Sequence, residues 1–317
     1  MTRPPMADLE RIYRSLRLIR RAEEEVARVY PSDKIKSPVH LSIGQESIAV
    51  GVCDALRHDD IVSGTYRGHA AYLAKGAPLD RMMAELYGKD TGCARGKGGS
   101  MHLVDMAQGV LGASAVVGTT IPLAAGFALA LKREGKGRVA VSFFGDGATE
   151  EGVFAESLNF AALHRLPLLF VCENNGYAIH EPTAKRWATN RLVERAASYG
   201  MPAEAVNDGD VLALRALVIR LVEGMRAGTG PAFVEAKTYR WREHVGPNED
   251  FEAGYRGRRD LEAWQATDQV VRIGGMIAPA RRAAIDAAIE TEIAAALQFA
   301  ENSPVPDPAQ LTTDTYA

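Results

Sequence analysis

The feature that most limits how this chain can fold is the run at residues 139–144, Val-Ala-Val-Ser-Phe-Phe, closed by Gly145. A strand with one wet face alternates apolar and polar residues. A near-continuous apolar run is instead a strand covered on both faces, which is how parallel sheets are built. Residues 168–172 repeat the pattern and residues 231–238 give a third such strand. Residues 152–164 and 211–225, lying between these runs, read as helices. Strands alternating with helices predict an α/β fold, a doubly wound and mainly parallel sheet with helices on both faces.

Helical periodicity also marks residues 8–29, 45–57 and 78–87. Residues 122–131 are apolar on nearly all sides and predict a buried helix with Pro122 near its first turn. An Ala-rich helix over residues 281–300 is stopped by Ser303-Pro-Val-Pro-Asp-Pro. Residues 88–118 are rich in Gly and Ser and have no period, yet hold few of the Pro and Glu residues typical of disorder; they are expected to be ordered around something. With no repeat and no clear linker, residues 1–317 are expected to form one domain with an N-terminal helical arm and a C-terminal helical extension.

Lys plus Arg number 37 against 40 Asp plus Glu, a net charge of −3, so neither nucleic acid nor an anionic membrane is an expected partner. No apolar run approaches the roughly 20 residues that span a bilayer. The opening segment Met1 to Arg11 has no apolar core of a signal peptide. The three cysteines, Cys53, Cys93 and Cys172, include no Cys-x-x-Cys pair, which points to a reducing cytoplasm rather than a disulfide framework or zinc site.

The first buried strand ends in Gly145-Asp146-Gly147 and the second in Glu173-Asn174-Asn175-Gly176-Tyr177. A right-handed crossover puts both loops at the carboxyl edge of one sheet, where open α/β sheets bind ligands. Asp146 offers a carboxylate, Asn175 an amide oxygen and Tyr177 a main-chain carbonyl, a set suited to Mg²⁺ shared with phosphate oxygens. The glycines permit close backbone approach to a diphosphate, and a helix after Gly147 would aim its free N–H groups there. Either tripeptide alone reads as a turn; two at consecutive buried strand ends read as a site. Gly92 to Lys97 is one residue short of a P-loop, and Glu150 stands where a Gly-x-Gly-x-x-Gly motif needs its third glycine.

Gly145-Asp146-Gly147, about 26 intervening residues and Asn174-Asn175 resemble the thiamine-diphosphate motif. His40-Leu-Ser-Ile-Gly-Gln-Glu46, Tyr66-Arg67-Gly-His69, Gly96-Lys-Gly-Gly-Ser-Met-His102 and Gly118-Thr-Thr-Ile-Pro-Leu-Ala-Ala-Gly126 are similar, in order, to the alpha subunits of the 2-oxo acid dehydrogenase family, in its pyruvate and acetoin branch. The resemblance implies a thiamine-diphosphate-dependent enzyme. It would decarboxylate a 2-oxo acid or cleave acetoin and pass the acyl unit to a lipoyl group on an acyltransferase partner. It would work only with a beta subunit, as an α₂β₂ tetramer, and that subunit supplies the glutamate that protonates the aminopyrimidine.

The same resemblance assigns Asp146, Asn175 and the Tyr177 carbonyl to Mg²⁺, and Tyr66, Arg67, Gly145, Gly147 and Ala148 to the cofactor. Residues 115–117, with Ala115 and Val117, would lie along the aminopyrimidine, and Ile179 would touch the same ring. His244 and His40 match active-site histidines, and imidazole suits proton movement near neutral pH. Where the family often continues Ser-x-Ser-Asp after the loop histidine, this chain reads Val245-Gly-Pro-Asn, without the serine phosphorylated in mitochondrial relatives. A paralogue acting on a sugar-derived ketone, half of a split transketolase-type transferase and a non-catalytic cofactor-binding scaffold remain open. The segment 240–259, dense in Arg, Glu and Asp, is expected to be too charged to pack and to act as a lid ordered by cofactor.

Overall fold

The computed structural model describes residues 4–313; residues 1–3, the start of the Met1–Arg11 segment, and 314–317 lie outside the described residues. Strands β1 (Ile61–Ser63), β2 (Val110–Gly112), β3 (Ala140–Gly145), β4 (Leu168–Asn174), β5 (Tyr177–Ala178), β6 (Glu181–Pro182), β7 (Ala203–Val206) and β8 (Ala232–Lys237) follow in chain order. Six of them make one sheet in the order β2-β1-β3-β4-β8-β7, parallel throughout, and β5 and β6 form a separate two-stranded ribbon. The helices are α1 (Met6–Val29), α2 (Glu46–Cys53), α3 (His69–Ala74), α4 (Leu79–Leu86), α5 (Thr120–Glu134), α6 (Gly152–Leu163), α7 (Thr183–Arg186), α8 (Leu192–Ala197), α9 (Val211–Arg226), α10 (Arg258–Gln265), α11 (Gln269–Gly274) and α12 (Pro279–Asn302).

The two faces of the sheet explain the apolar runs. Val141 and Phe143 of β3, Leu169 and Val171 of β4 and Val234 of β8 join a core shared with α1, α2, α4, α9 and α12. Ala140 and Phe144, Leu168 and Phe170, and Phe233 point the other way, into a second core with α5, α6 and α8. Successive side chains of each strand are therefore buried on opposite sides, and no position on them is free to be polar-out. The fold is the doubly wound α/β sheet expected, and among the described residues no helix is long and apolar enough to cross a membrane.

Some elements differ from expectation for local reasons. Helix α2 stops at Cys53, short of residue 57. Helix α5 is longer than residues 122–131 and is not buried all round: Leu123 is 56% exposed, and on the neighbouring α6 Leu163 is 73% exposed and Phe160 38%. A row that is apolar on every side thus faces the core with one side and leaves the other uncovered.

The glycine-rich stretch after α4 is ordered around a protein group. Glu85, on the buried side of α4, accepts the backbone N–H groups of Ala94 (2.8 Å) and Gly96 (2.9 Å) on Oε2 and of Gly98 (2.7 Å) and Gly99 (3.0 Å) on Oε1. A Cβ on Gly92 would come within 2.4 Å of Glu85 Oε2, so the loop has no room for a side chain there. Charge-assisted bonds of this kind are about twice as strong as neutral ones. Glu85→Ala strands four amides and is expected to cost about 3–5 kcal/mol, with Glu85→Gln milder because only one of its side-chain atoms accepts. Chemical denaturation checks this; a loss near zero would show that the carboxylate does not hold the loop.

Candidate functional site

Strands β3 and β4 lie in register up to Gly145 and Glu173, so their carboxyl ends meet at one edge. Asp146 opens a 3₁₀ turn, Asp146–Glu150, and α6 begins only at Gly152; the turn, not a helix starting directly after Gly147, therefore follows β3. A cavity of about 290 Å³ sits over this edge. Its wall brings together Tyr66, Arg67, Val117, Gly145, Asp146, Gly147, Ala148, Asn175, Tyr177, Ile179 and His244, residues far apart in sequence. Ala115 is not on the wall; its neighbours Ser114 and Val116 are. His40 also lies off the wall and packs behind it, its ring centroid 4.6 Å from that of Tyr66 and 5.2 Å from that of His244.

Two buried charges face each other across this space. Asp146 is fully buried; its Oδ2 is ion-paired with Arg186, while Oδ1 is buried without a hydrogen-bond partner. Burial pushes its carboxyl above the usual range, and the Arg186 guanidinium opposes the shift. Arg67, buried after β1, donates from Nη1 to the Leu41 carbonyl (2.7 Å) and from Nη2 to the His244 carbonyl (3.1 Å). Both partners are carbonyls, and burial, with Arg240 nearby, lowers the guanidinium to about 10. A desolvated cation hydrogen-bonded only to carbonyls, with the Glu23 and Glu173 carboxyls acting on it from further off, can receive an anion.

Burial, helped by Arg67, also lowers His40 and His244 to about 3, so both imidazoles are neutral between pH 5 and 8. Glu173, on the same wall, is raised to about 7 by burial, against the pull of Arg67. Asn175 is fixed by Tyr177 N–H donating to its Oδ1 (3.1 Å) and by its own Nδ2 donating to Gln45 (3.0 Å).

Two backbone details shape the wall. A Cβ on Gly145 would meet no protein atom within 4 Å, so it would project into open space beside Asp146. Ile179 has φ of 54°, a left-handed conformation that β-branched residues avoid, and its side chain is 55% exposed on the cavity wall. Such strain persists only where surroundings hold it; here Arg240 Nη2 donates to the Ile179 carbonyl (3.1 Å).

The expectation that residues 240–259 are too charged to pack is corrected at Arg240, Phe251 and Arg256; most of the other residues are exposed or half-buried. Arg240 and Arg256 are both buried and share Asp250. Arg256 also donates to the carbonyls of Arg240 (2.6 Å) and Arg242 (2.8 Å) and lies over the Phe251 ring, 4.5 Å from its centroid. Gly246 N–H donates to the Val39 carbonyl (2.8 Å), bringing His244 beside His40. The charges cancel one another and the guanidinium planes stack on aromatic rings, so a count of charges overstates the segment's need for water.

Sequence reading missed Arg186, Glu150 and Gln45 at this site. Gln45 lay within the His40–Glu46 motif and could have been taken from it. Arg186 ends a four-residue helix and carries no signal of its own.

Fold and site together define the class. A model of the family described as dehydrogenase E1 component matches residues 14–309, and the chain belongs to that family. Its relatives include the alpha subunit of acetoin:2,6-dichlorophenolindophenol oxidoreductase from Bacillus subtilis (strain 168), 38% identical over 96% of this chain and 92% of the relative. The subunit of the same name from Cupriavidus necator is 37% identical over 96% and 93%. The pyruvate dehydrogenase E1 component subunit alpha of Porphyra purpurea is 37% identical over 96% and 92%. Membership implies thiamine diphosphate as cofactor and a beta subunit as partner.

Proposed function

We propose that this chain is the cofactor-holding half of a dehydrogenase that acts on a pyruvate-like 2-oxo acid or on acetoin, in an α₂β₂ assembly that passes the acyl unit to a lipoyl acyltransferase. What supports this reading most is the pairing, across one cavity, of Arg67, held only by carbonyls, with Asp146, whose Oδ1 has no partner. An anion receptor facing an unsatisfied carboxylate suits a diphosphate carried with a divalent cation.

In this reading Asp146, the Asn175 side chain and the Tyr177 carbonyl hold Mg²⁺. Tyr66 and Arg67 bind the diphosphate, and the absence of side chains at Gly145 and Gly147 lets the backbone, with Ala148, approach it. Val117 and Ile179 flank the aminopyrimidine, with the Ala115 backbone behind them. Bound thiamine diphosphate supplies the electron sink for breaking a bond beside the substrate carbonyl. Arg67 also grips the His244 carbonyl, so the residue that binds the anion fixes the loop histidine as well. Neutral His244 can take a proton on a free ring nitrogen and return it without changing the resting charge of the site. His40 backs its ring, edge to face, and limits its rotation. The exposed Val116, Val117 and Ile179 line the cavity with apolar surface that keeps water from the reacting carbon once a partner covers it.

The test is turnover by the chain assembled with its beta subunit, with Mg²⁺, thiamine diphosphate and an artificial electron acceptor. Acetoin or pyruvate is expected to reduce the acceptor only when the cofactor is present. Failure with both, alongside turnover of a sugar-phosphate donor, would assign the chain to transketolase-type chemistry instead.

A further inference from the structure

One arrangement beside the cavity wall is left unused by that reading. Arg186 ends α7 with its side chain only 9% exposed. Its Nη2 is ion-paired with Asp146 Oδ2 and its Nη1 with Glu150 Oε1. Glu150 Oε1 also accepts the indole N–H of Trp187 (3.0 Å), so the Arg186–Glu150 pair is itself tied down. The planar guanidinium presents a fork that meets two carboxylates at once, which an ammonium cannot do in fixed geometry. One oxygen of Asp146 is therefore taken, and the other, Oδ1, is buried with no partner.

We propose that Arg186, steadied by Glu150, is a positioning residue for the divalent cation: it occupies one oxygen of Asp146 and leaves the other for the metal. The inference rests on the thiamine-diphosphate reading. Charge supports it as well as geometry. Asp146, Glu150, Glu151 and Glu173 all line the cavity, and without Arg186 the first two would face an incoming diphosphate with no cation paired to them. Arg186 offsets one of these charges and leaves Asp146 Oδ1 to face the cation. A rival role gives the opposite sign. If Arg186 merely competed with the metal for Asp146, removing it would tighten metal binding.

Calorimetric titration of Mn²⁺ into the complex of this chain with its beta subunit, at saturating thiamine diphosphate, separates the two. Partners that hold a ligating carboxylate typically alter metal affinity about 10–100-fold. Arg186→Gln is expected to weaken Mn²⁺ by that range, Arg186→Lys less, and Glu150→Gln in the same direction. The double variant should bind no more weakly than Arg186→Gln alone, because Glu150 acts through Arg186. Unchanged or tighter Mn²⁺ binding in Arg186→Gln overturns the inference. If that variant does not fold, Arg186→Lys and Glu150→Gln decide it, and unchanged affinity in both overturns it. Asp146→Asn separates this failure from failure of the underlying reading. Loss of Mn²⁺ in Asp146→Asn with normal binding in Arg186→Gln sinks only the positioning role. Normal binding in Asp146→Asn removes the metal site itself and the inference with it.

Discussion

Asp146→Ala is expected to abolish cofactor-dependent turnover and to weaken Mg²⁺–thiamine diphosphate by more than about 100-fold, since even partners one step removed from a metal cost up to that much. The fold should survive. Asp146 lies at a strand end, and its burial is already unfavourable to the charged form, as the upward shift of its carboxyl records. Arg186 keeps Glu150 as a counter-ion in the variant, so no bare buried charge is left. Calorimetry of the assembled enzyme gives the affinity and circular dichroism the fold. Unchanged cofactor affinity would remove Asp146 from the metal site, and with it the proposed use of the cavity.

The second large effect concerns assembly. The chain alone, with Mg²⁺ and thiamine diphosphate, is expected to show no decarboxylation and no C–C cleavage; adding the beta subunit should restore turnover from zero. Three of the four cavity carboxyl groups have charged neighbours in this chain: Asp146 and Glu150 share Arg186, and Glu173 feels the charge of Arg67. The task of serving the aminopyrimidine is one that the family resemblance gives to a beta-subunit glutamate. Turnover by the isolated chain would contradict this, and would require one of its own carboxylates to act.

Much of this fold was legible because of how the central strands are buried. β3, β4 and β8 are covered on both faces, and that burial writes itself directly into composition. β1 and β2 are three residues long and β7 four, too short to carry a period, so half of the main sheet left no readable trace. At the site, the residues on strand ends were legible because glycine, Asp and Asn stand out beside apolar runs. Arg186 and Glu150 did not stand out: charges outside any motif look like solvated surface until the fold sets Arg186 between Asp146 and Glu150. The packing within the segment 240–259 was missed for a related reason. Its charges were visible, but their pairing through Asp250 and their stacking on Phe251 depend on folding. Glu85 was hidden likewise, because an acidic residue on a short amphipathic helix ordinarily faces water.

The uncovered side of α5 and α6 bears on how such a chain is kept in supply. Leu123, Phe160 and Leu163 are apolar side chains left exposed on these two helices. A copy that meets no partner over these side chains keeps them in water, where exposed apolar surface favours adhesion between copies. Production of this chain in excess of its partner should therefore yield aggregate rather than a soluble reserve, and balanced synthesis of the two chains becomes a condition for recovering either one intact.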